Sequence, residues 1–117
     1  MAYVEGFVVP VPKDRLEDYK EMSRVVETVF RELGVTQYVE CVGDDVPYGT
    51  LTSFPRAVQA KEDEVVAFAW VVHPSRESRD ACNKVAMEDP RMKRWEGKIP
   101  FDAKRMIFGG FVPFQGL

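Results

Sequence analysis

Two glutamates of this chain lie inside apolar, strand-like segments, where carboxylates are uncommon. Glu5 stands within Tyr3–Phe7, and Glu40 stands within Tyr38–Val42. A carboxyl group held among aromatic and apolar neighbours has a raised pKa, so it can take or give a proton near neutral pH. A cofactor-free isomerase or oxygenase would work in this way. We therefore predict that Glu40 is catalytic. Glu5, together with Cys41 on the reverse face of the Glu40 strand, is predicted to belong to a ligand site.

A structural role for both glutamates stays open at this point. A strand glutamate can face solvent, lie at a sheet edge, or pair with a basic residue elsewhere in the fold. Two salt-bridged glutamates over a sealed core would favour a protein without a pocket. The basic residues considered as partners are Arg56, Arg79, Lys104 and Arg105.

Other kinds of site find little support in the residue types. The chain has one histidine, His73, and two cysteines about forty residues apart, with no Cys-x-x-Cys or His-x-x-x-His spacing. Gly109-Gly110 lies in a strand pattern and is not followed by a helix, so a phosphate-binding loop is not indicated. A Cys–His nucleophile pair would need a cysteine to meet His73, and Cys82 is typical of a helix core. We predict no metal and no cofactor.

The charge distribution limits the classes of partner. The net charge of −3 gives no general attraction to nucleic acid or to anionic lipid, so neither is expected as a partner. Residues 91–105 nevertheless hold six basic and two acidic residues. This segment, which ends at Arg105, could bind an anionic metabolite or the Asp44-Asp45 loop of a second copy. The alternative is an ordinary solvated surface.

The hydrophobic pattern predicts a β-α-β-β-α-β chain. β-Branched and aromatic runs predict strands, and apolar residues at three- and four-residue spacing predict helices. Segment 53–60 stays open between a short helix and an irregular edge segment, and Pro90–Trp95 is expected to add a helical turn. The strands are predicted over 3–11, 35–43, 65–72 and 105–112, and the helices over 16–33, closed by Gly34, and from Ser75 to the Asp89-Pro90 break.

One face of the predicted sheet needs a cover. Right-handed crossovers place both long helices on the same face of an antiparallel sheet. Strand 65–72 is apolar at both alternating sets of positions, unlike a strand with one solvated face. Burying roughly a few hundred Å² at about 25 cal/mol per Å² is worth several kcal/mol. We therefore predict a homodimer through this sheet face, with an apolar ligand or segment 53–60 as the alternative cover.

Six short segments recur together and in this order in a known family: Tyr3–Pro12, Val39–Cys41, Asp45–Pro47, Pro74-Ser75 with Arg79-Asp80, Asp89–Met92 and Pro100–Ile107. On these segments the chain resembles the YbaA-like family of small bacterial proteins of unknown function. The resemblance runs over essentially the whole chain. It implies a ferredoxin-like fold of the dimeric α/β-barrel type and no particular activity. His73 stands where the family pattern has Tyr before Pro-Ser, which weakens a role for His73 as an essential base.

We accordingly expect one α+β domain over residues 1–117, with a small-molecule pocket between the sheet and the helices. Glu40, Trp70 and His73 are expected to line it, and the ligand to be a small anionic or aromatic molecule. The alternative is a non-enzymatic homodimeric interaction module that uses the 91–105 surface. Two cysteines without a secretion signal favour a cytoplasmic protein with reduced thiols.

Overall fold

The computed structural model describes all 117 residues and confirms the predicted order of strands and long helices. A short 3-10 helix, Lys13–Arg15, leads into the first long helix. The strands are β1 (Tyr3–Pro12), β2 (Gln37–Val42), β3 (Glu64–His73) and β4 (Ile107–Phe111), and the helices are α1 (Leu16–Glu32), α2 (Phe54–Ala57), α3 (Arg76–Ala86) and α4 (Pro90–Lys93).

The four strands form one antiparallel sheet in the order β2-β3-β1-β4. Its register sets Glu5 opposite Val71, and Glu40 opposite Ala69. Ala69 and Val71 are two residues apart on β3, so all four side chains lie on the same face. Val71 packs there against Phe30 of α1 and other helix residues. We call this side the helix face and the other side the open face.

The two long helices begin and end where local chemistry allows it. Gly34 adopts a φ of +99° directly after α1, a conformation that residues with a Cβ rarely take. Ser75 caps α3, because its hydroxyl accepts a hydrogen bond from the Ser78 backbone N–H at 3.0 Å. Cys82 of α3 is buried in the core, as predicted.

Segment 53–60 resolves as the short helix α2. Ser53 caps it by accepting a hydrogen bond from the Arg56 backbone N–H at 3.1 Å. Phe54 then packs edge to face on Phe68, with the ring centroids 5.7 Å apart. This contact covers one corner of the open face, and α4 begins in a similar way behind the N-cap residue Asp89.

The open face is apolar and largely uncovered. Phe68 pairs with Val8, and Phe111 of β4 pairs with Val4, so these side chains lie on the face opposite to the helices. Phe68 remains 40% exposed and Phe111 63% exposed. No helix of the chain combines the length and the hydropathy that crossing a membrane requires.

Candidate functional site

A cavity of about 150 Å³ lies between α1 and the helix face of the sheet. We call it the inner cavity. Its lining is mostly apolar, and the only charged side chain in it is that of Glu40. Sheet, helix and the segment before β4 all contribute walls, among them Phe7, Val71, Met22, Val26, Phe101 and Met106.

Glu40 lies in this cavity with its two carboxyl oxygens in different states. The Tyr38 hydroxyl donates a hydrogen bond to Glu40 Oε1 at 3.1 Å. Glu40 Oε2 is buried and accepts no hydrogen bond. Burial raises the pKa of the Glu40 carboxyl, and nearby hydroxyls offset part of that effect. One oxygen is therefore held in position while the other can receive a proton.

Two tyrosines complete the polar end of the inner cavity. Burial raises the pKa of Tyr19 and of Tyr38, and the negative charge of Glu40 raises both further. Both phenols therefore stay protonated at neutral pH and act as hydrogen-bond donors. The Ser23 hydroxyl lies 3.5 Å from that of Tyr38, which links α1 to β2.

The structure does not bring Trp70 to the inner cavity, so this sequence-based expectation is corrected. Trp70 lies between Ala69 and Val71 on β3, and alternation along the strand directs it to the open face. Its indole Nε1 donates a hydrogen bond to Gln37 Oε1 at 2.7 Å. Trp70 is therefore a sheet-surface residue with a satisfied polar atom.

The expectation that His73 lines the same cavity is also corrected. His73 ends β3, is only 1% exposed, and lies beside Glu5, with 3.8 Å between His73 Nε2 and Glu5 Oε1. Burial lowers the pKa of His73, which keeps the ring neutral near pH 7. The ring packs against Phe30, with 6.5 Å between ring centroids.

Glu5 has the structural role that the sequence left open. Its carboxylate is 3% exposed, and Oε2 accepts hydrogen bonds from Arg79 at 3.2 Å and from Asn83 at 3.3 Å. Both donors belong to α3, so this ion pair fixes α3 against β1. The Glu5 carboxylate is therefore part of the packing of α3 on the sheet.

The remaining predicted ligand residues lie apart from the inner cavity. Cys41 pairs with Phe68 across β2 and β3 and is exposed on the open face. Arg105 donates two hydrogen bonds of 2.7 Å to the carboxylate of Glu64 and one of 2.9 Å to Asp102. Neither residue is positioned to contact a molecule bound beside Glu40.

The basic 91–105 segment is in large part neutralised by neighbouring acidic residues. Arg91 pairs with both Glu32 and Asp89, and Lys93 pairs with Glu88. With Arg105 bound to Glu64, half of the six basic side chains have an acidic partner. The surface therefore offers a weaker positive field than its composition indicates.

Sequence reasoning missed the hydroxyls that surround Glu40. Tyr19 and Ser23 are four residues apart on α1 and so lie on one helix face, with the serine interrupting an apolar stripe. Tyr38 lies two residues before Glu40, which places both on one face of β2. These two spacings were the available signals.

The strand order and the packing of both long helices on one side define a ferredoxin-like α+β protein, in agreement with the predicted fold. A dimeric ferredoxin-like protein from an uncultured marine organism superposes with a TM-score of 0.62 at 9% identity, over 99% of this chain and 98% of that one. A putative antibiotic biosynthesis monooxygenase from Nitrosomonas europaea gives 0.64 at 16% identity, over 97% and 90%. At such identities these likenesses show the fold alone.

The sequence comparisons identify the family within that fold. Residues 2–103 match the family described as "Protein of unknown function (DUF1428)". The uncharacterized protein YbaA of Escherichia coli K12 is 50% identical over 111 residues, which cover 95% of each chain. The chain belongs to the DUF1428 family, which confirms the resemblance noted from its sequence segments.

Proposed function

We propose that this protein binds a small molecule in the inner cavity and that Glu40 transfers a proton to or from it. The observation that carries the proposal is the state of Glu40, the one charged group in an apolar cavity, with Oε2 buried and free of hydrogen bonds. A carboxyl group in this environment has a raised pKa and is a stronger base than one in water.

The surrounding groups fit a simple proton-transfer step. The ligand C–H or O–H would give its proton to Glu40 Oε2, while the hydrogen bond from Tyr38 keeps Oε1 in place. Negative charge left on the ligand would be stabilised by the phenol of Tyr19, which stays protonated at neutral pH. The apolar walls exclude water, which strengthens these interactions. The step uses only side chains of this chain.

A test reaction for a carboxylate base in an apolar cavity is the elimination of 5-nitrobenzisoxazole. The base removes the proton from C3, the ring N–O bond breaks, and a nitrile and a coloured phenolate form. We expect the protein to accelerate this reaction and Glu40→Gln to lower the rate by roughly 100-fold, the usual contribution of a positioned base. Glu21→Gln, which removes an exposed charge from α1, serves as the matched control. Equal rates for wild type and Glu40→Gln would overturn the proposal.

We propose further that the protein is a homodimer that pairs through its open face. The exposed Phe68 and Phe111 support this, since apolar patches of this kind mark interfaces. A solved structure with the same fold is described as a dimeric ferredoxin-like protein. Phe111→Lys would place a charge in the interface, so sedimentation should show a monomer. A wild-type chain that sediments as a monomer at micromolar concentration would contradict the dimer.

We also propose that residues 1–117 form a single domain, built on the one four-stranded sheet, and that the protein is cytoplasmic. The environment of the two cysteines supports the location. Cys41 is exposed on the open face, whereas Cys82 is buried in α3 on the other side of the sheet, and both are free thiols. The sheet between them prevents a disulfide within the chain. Free thiols of this kind are typical of a reducing compartment.

A further inference from the structure

A second depression, of about 300 Å³, adjoins the inner cavity. We call it the outer groove. Met22, Val26 and Phe101 line both spaces, so these three side chains form a shared wall. The outer side of the groove consists of residues of and after α4, including Met92, Trp95 and Ile99.

Each of the two linings includes one residue with a buried polar atom that has no hydrogen-bond partner. Among the residues that line the inner cavity this atom is the acceptor Glu40 Oε2, and among those that line the outer groove it is the donor Trp95 Nε1. Buried polar atoms in proteins are nearly always hydrogen-bonded, so each such exception calls for an explanation. An unpaired acceptor and an unpaired donor on either side of one apolar wall are explained together by a ligand with complementary ends.

We propose that the inner cavity and the outer groove form one elongated site for a neutral hydroxyaromatic molecule that carries a carbonyl group on a short side chain. Its hydroxyl donates to Glu40 Oε2, its ring fills the inner cavity, and its carbonyl accepts a hydrogen bond from Trp95 Nε1. This inference rests on the proposed function, since it uses the same carboxylate, and it adds the class of ligand.

The size of the inner cavity indicates a single ring. An apolar cavity of about 150 Å³ holds one benzene molecule, and the inner cavity has that volume. A larger aromatic molecule, such as 5-nitrobenzisoxazole, is accommodated only with part of it beyond the shared wall. The remaining part of a longer ligand must therefore extend past the shared wall into the outer groove.

The charges around the site favour a neutral ligand over an anionic one. No basic residue lines the inner cavity, and an anion there would meet the carboxylate of Glu40. The basic residue of the outer groove, Lys93, pairs with Glu88 at 3.2 Å, and Glu96 lines the same groove. Of the two ligand types that the sequence left open, anionic and aromatic, the structure favours the aromatic one.

Met22 is the part of the shared wall that can move. Its side chain is unbranched and adapts its shape at small energetic cost. Phe101, in contrast, is fixed by an edge-to-face contact with Tyr19, with ring centroids 5.7 Å apart. Rotation of Met22 would join the inner cavity to the outer groove without a change in the backbone.

The test compares three para-substituted phenols of similar length. The probes are 4-(4-hydroxyphenyl)-2-butanone with a carbonyl acceptor, 4-butylphenol without one, and 4-(4-hydroxyphenyl)butanoate with a negative charge. Titration calorimetry should show the ketone binding about tenfold more tightly than 4-butylphenol, the ratio that one well-formed hydrogen bond supplies. The butanoate should bind more weakly than the ketone.

Two tryptophan-to-phenylalanine variants assign the carbonyl contact. Trp95→Phe keeps one aromatic ring and removes the N–H, so it should abolish the tenfold preference for the ketone over 4-butylphenol. Trp70→Phe is the matched control, because Trp70 lies on the open face, away from both spaces. The chain has two tryptophans, so Trp70→Phe also leaves Trp95 as the only indole, and its fluorescence should change on binding.

Several results would overturn this inference without touching the proposed function. They are equal affinities for the ketone and 4-butylphenol, tighter binding of the butanoate, a ketone preference that survives Trp95→Phe, and no binding of any phenol. The elimination of 5-nitrobenzisoxazole depends on Glu40 and not on Trp95. If the protein catalyses this elimination but shows one of those four results, Glu40 remains the proposed base and the elongated site is refuted.

Discussion

Replacing Glu40 by glutamine should make the protein more stable at neutral pH. The carboxylate is buried in an apolar cavity, and its Oε2 atom has no hydrogen-bond partner. Glutamine has nearly the same shape and no charge, so it can keep the hydrogen bond from Tyr38 while removing the desolvation cost of the charge. A gain in stability on loss of a functional group is characteristic of a site built for chemistry.

The size of the effect follows from the unpaired oxygen. A buried polar group without a partner costs about 1–3 kcal/mol, and more when it is charged. Glutamine leaves a neutral group in the same place, which retains part of that cost. We expect a gain of about 1–2 kcal/mol at pH 7, which corresponds to a rise in Tm of roughly 4–8 °C for a chain of this length.

The gain should depend on pH in a defined direction. The folded-state pKa of Glu40 lies above the ordinary value of 4.5, so the folded protein holds its proton more tightly than the unfolded chain does. Wild-type stability therefore falls as the pH rises from about 4.5 through the folded-state pKa. Near pH 4 both variants are neutral at this position, and the difference in stability should disappear.

Urea unfolding followed by circular dichroism measures this difference. Wild type, Glu40→Gln and the control Glu21→Gln are compared at pH 4 and pH 7 at one protein concentration, because the proposed dimer would make stability depend on concentration. The control should stay within about 0.5 kcal/mol of wild type at both values, as is usual for exposed positions. A Glu40→Gln protein that is less stable than wild type at pH 7, or whose gain persists unchanged at pH 4, would refute the reasoning.

Two further predictions concern the scaffold. Arg105→Met should lower the free energy of unfolding by about 2 kcal/mol at pH 7, because the Glu64 side chain is only 4% exposed and would lose its charged partner. Arg105 lowers the pKa of Glu64, so the deficit measured by urea unfolding should shrink as the pH falls below about 4.5. A deficit that does not change with pH would contradict this prediction. Gly110→Ala should cost about 1–3 kcal/mol in a thermal melt, because its Cβ would lie 2.6 Å from Tyr3 Cε2. Gly109→Ala, whose Cβ would meet its nearest neighbour at 3.6 Å, is the control, and equal losses would show that the clash is relieved.

The fold could be predicted because several local signals agree with each other. The helical spacing from Leu16 onward, the position of Gly34 and the capping serine Ser75 each mark an element that the structure contains. The last strand is shorter than the predicted 105–112, since Arg105 is held in a turn by hydrogen bonds to Asp102. Such tertiary contacts have no signature in the hydrophobic pattern.

The site was predictable only in part, because the sequence of a strand that is apolar at every position does not show which residues face the helices. Along β3 both alternating sets of residues are apolar, so the pattern could not tell that Trp70 lies opposite to Val71. Glu5 and Glu40 share the helix face, yet only Glu5 meets an arginine, Arg79 of α3. Which helix covers which strand is decided by long-range packing, and that packing distinguishes a structural glutamate from a candidate base.

The most direct test of the central claim is a pH titration of the Glu40 side-chain carboxyl by NMR, using ¹³C-labelled glutamate and Glu40→Gln to assign the signal. We expect a midpoint clearly above the ordinary glutamate value of 4.5, because burial in the inner cavity disfavours the charged form. A midpoint at or below 4.5 would contradict it, because it would show that Glu40 is hydrated or paired and not a base held in an apolar cavity.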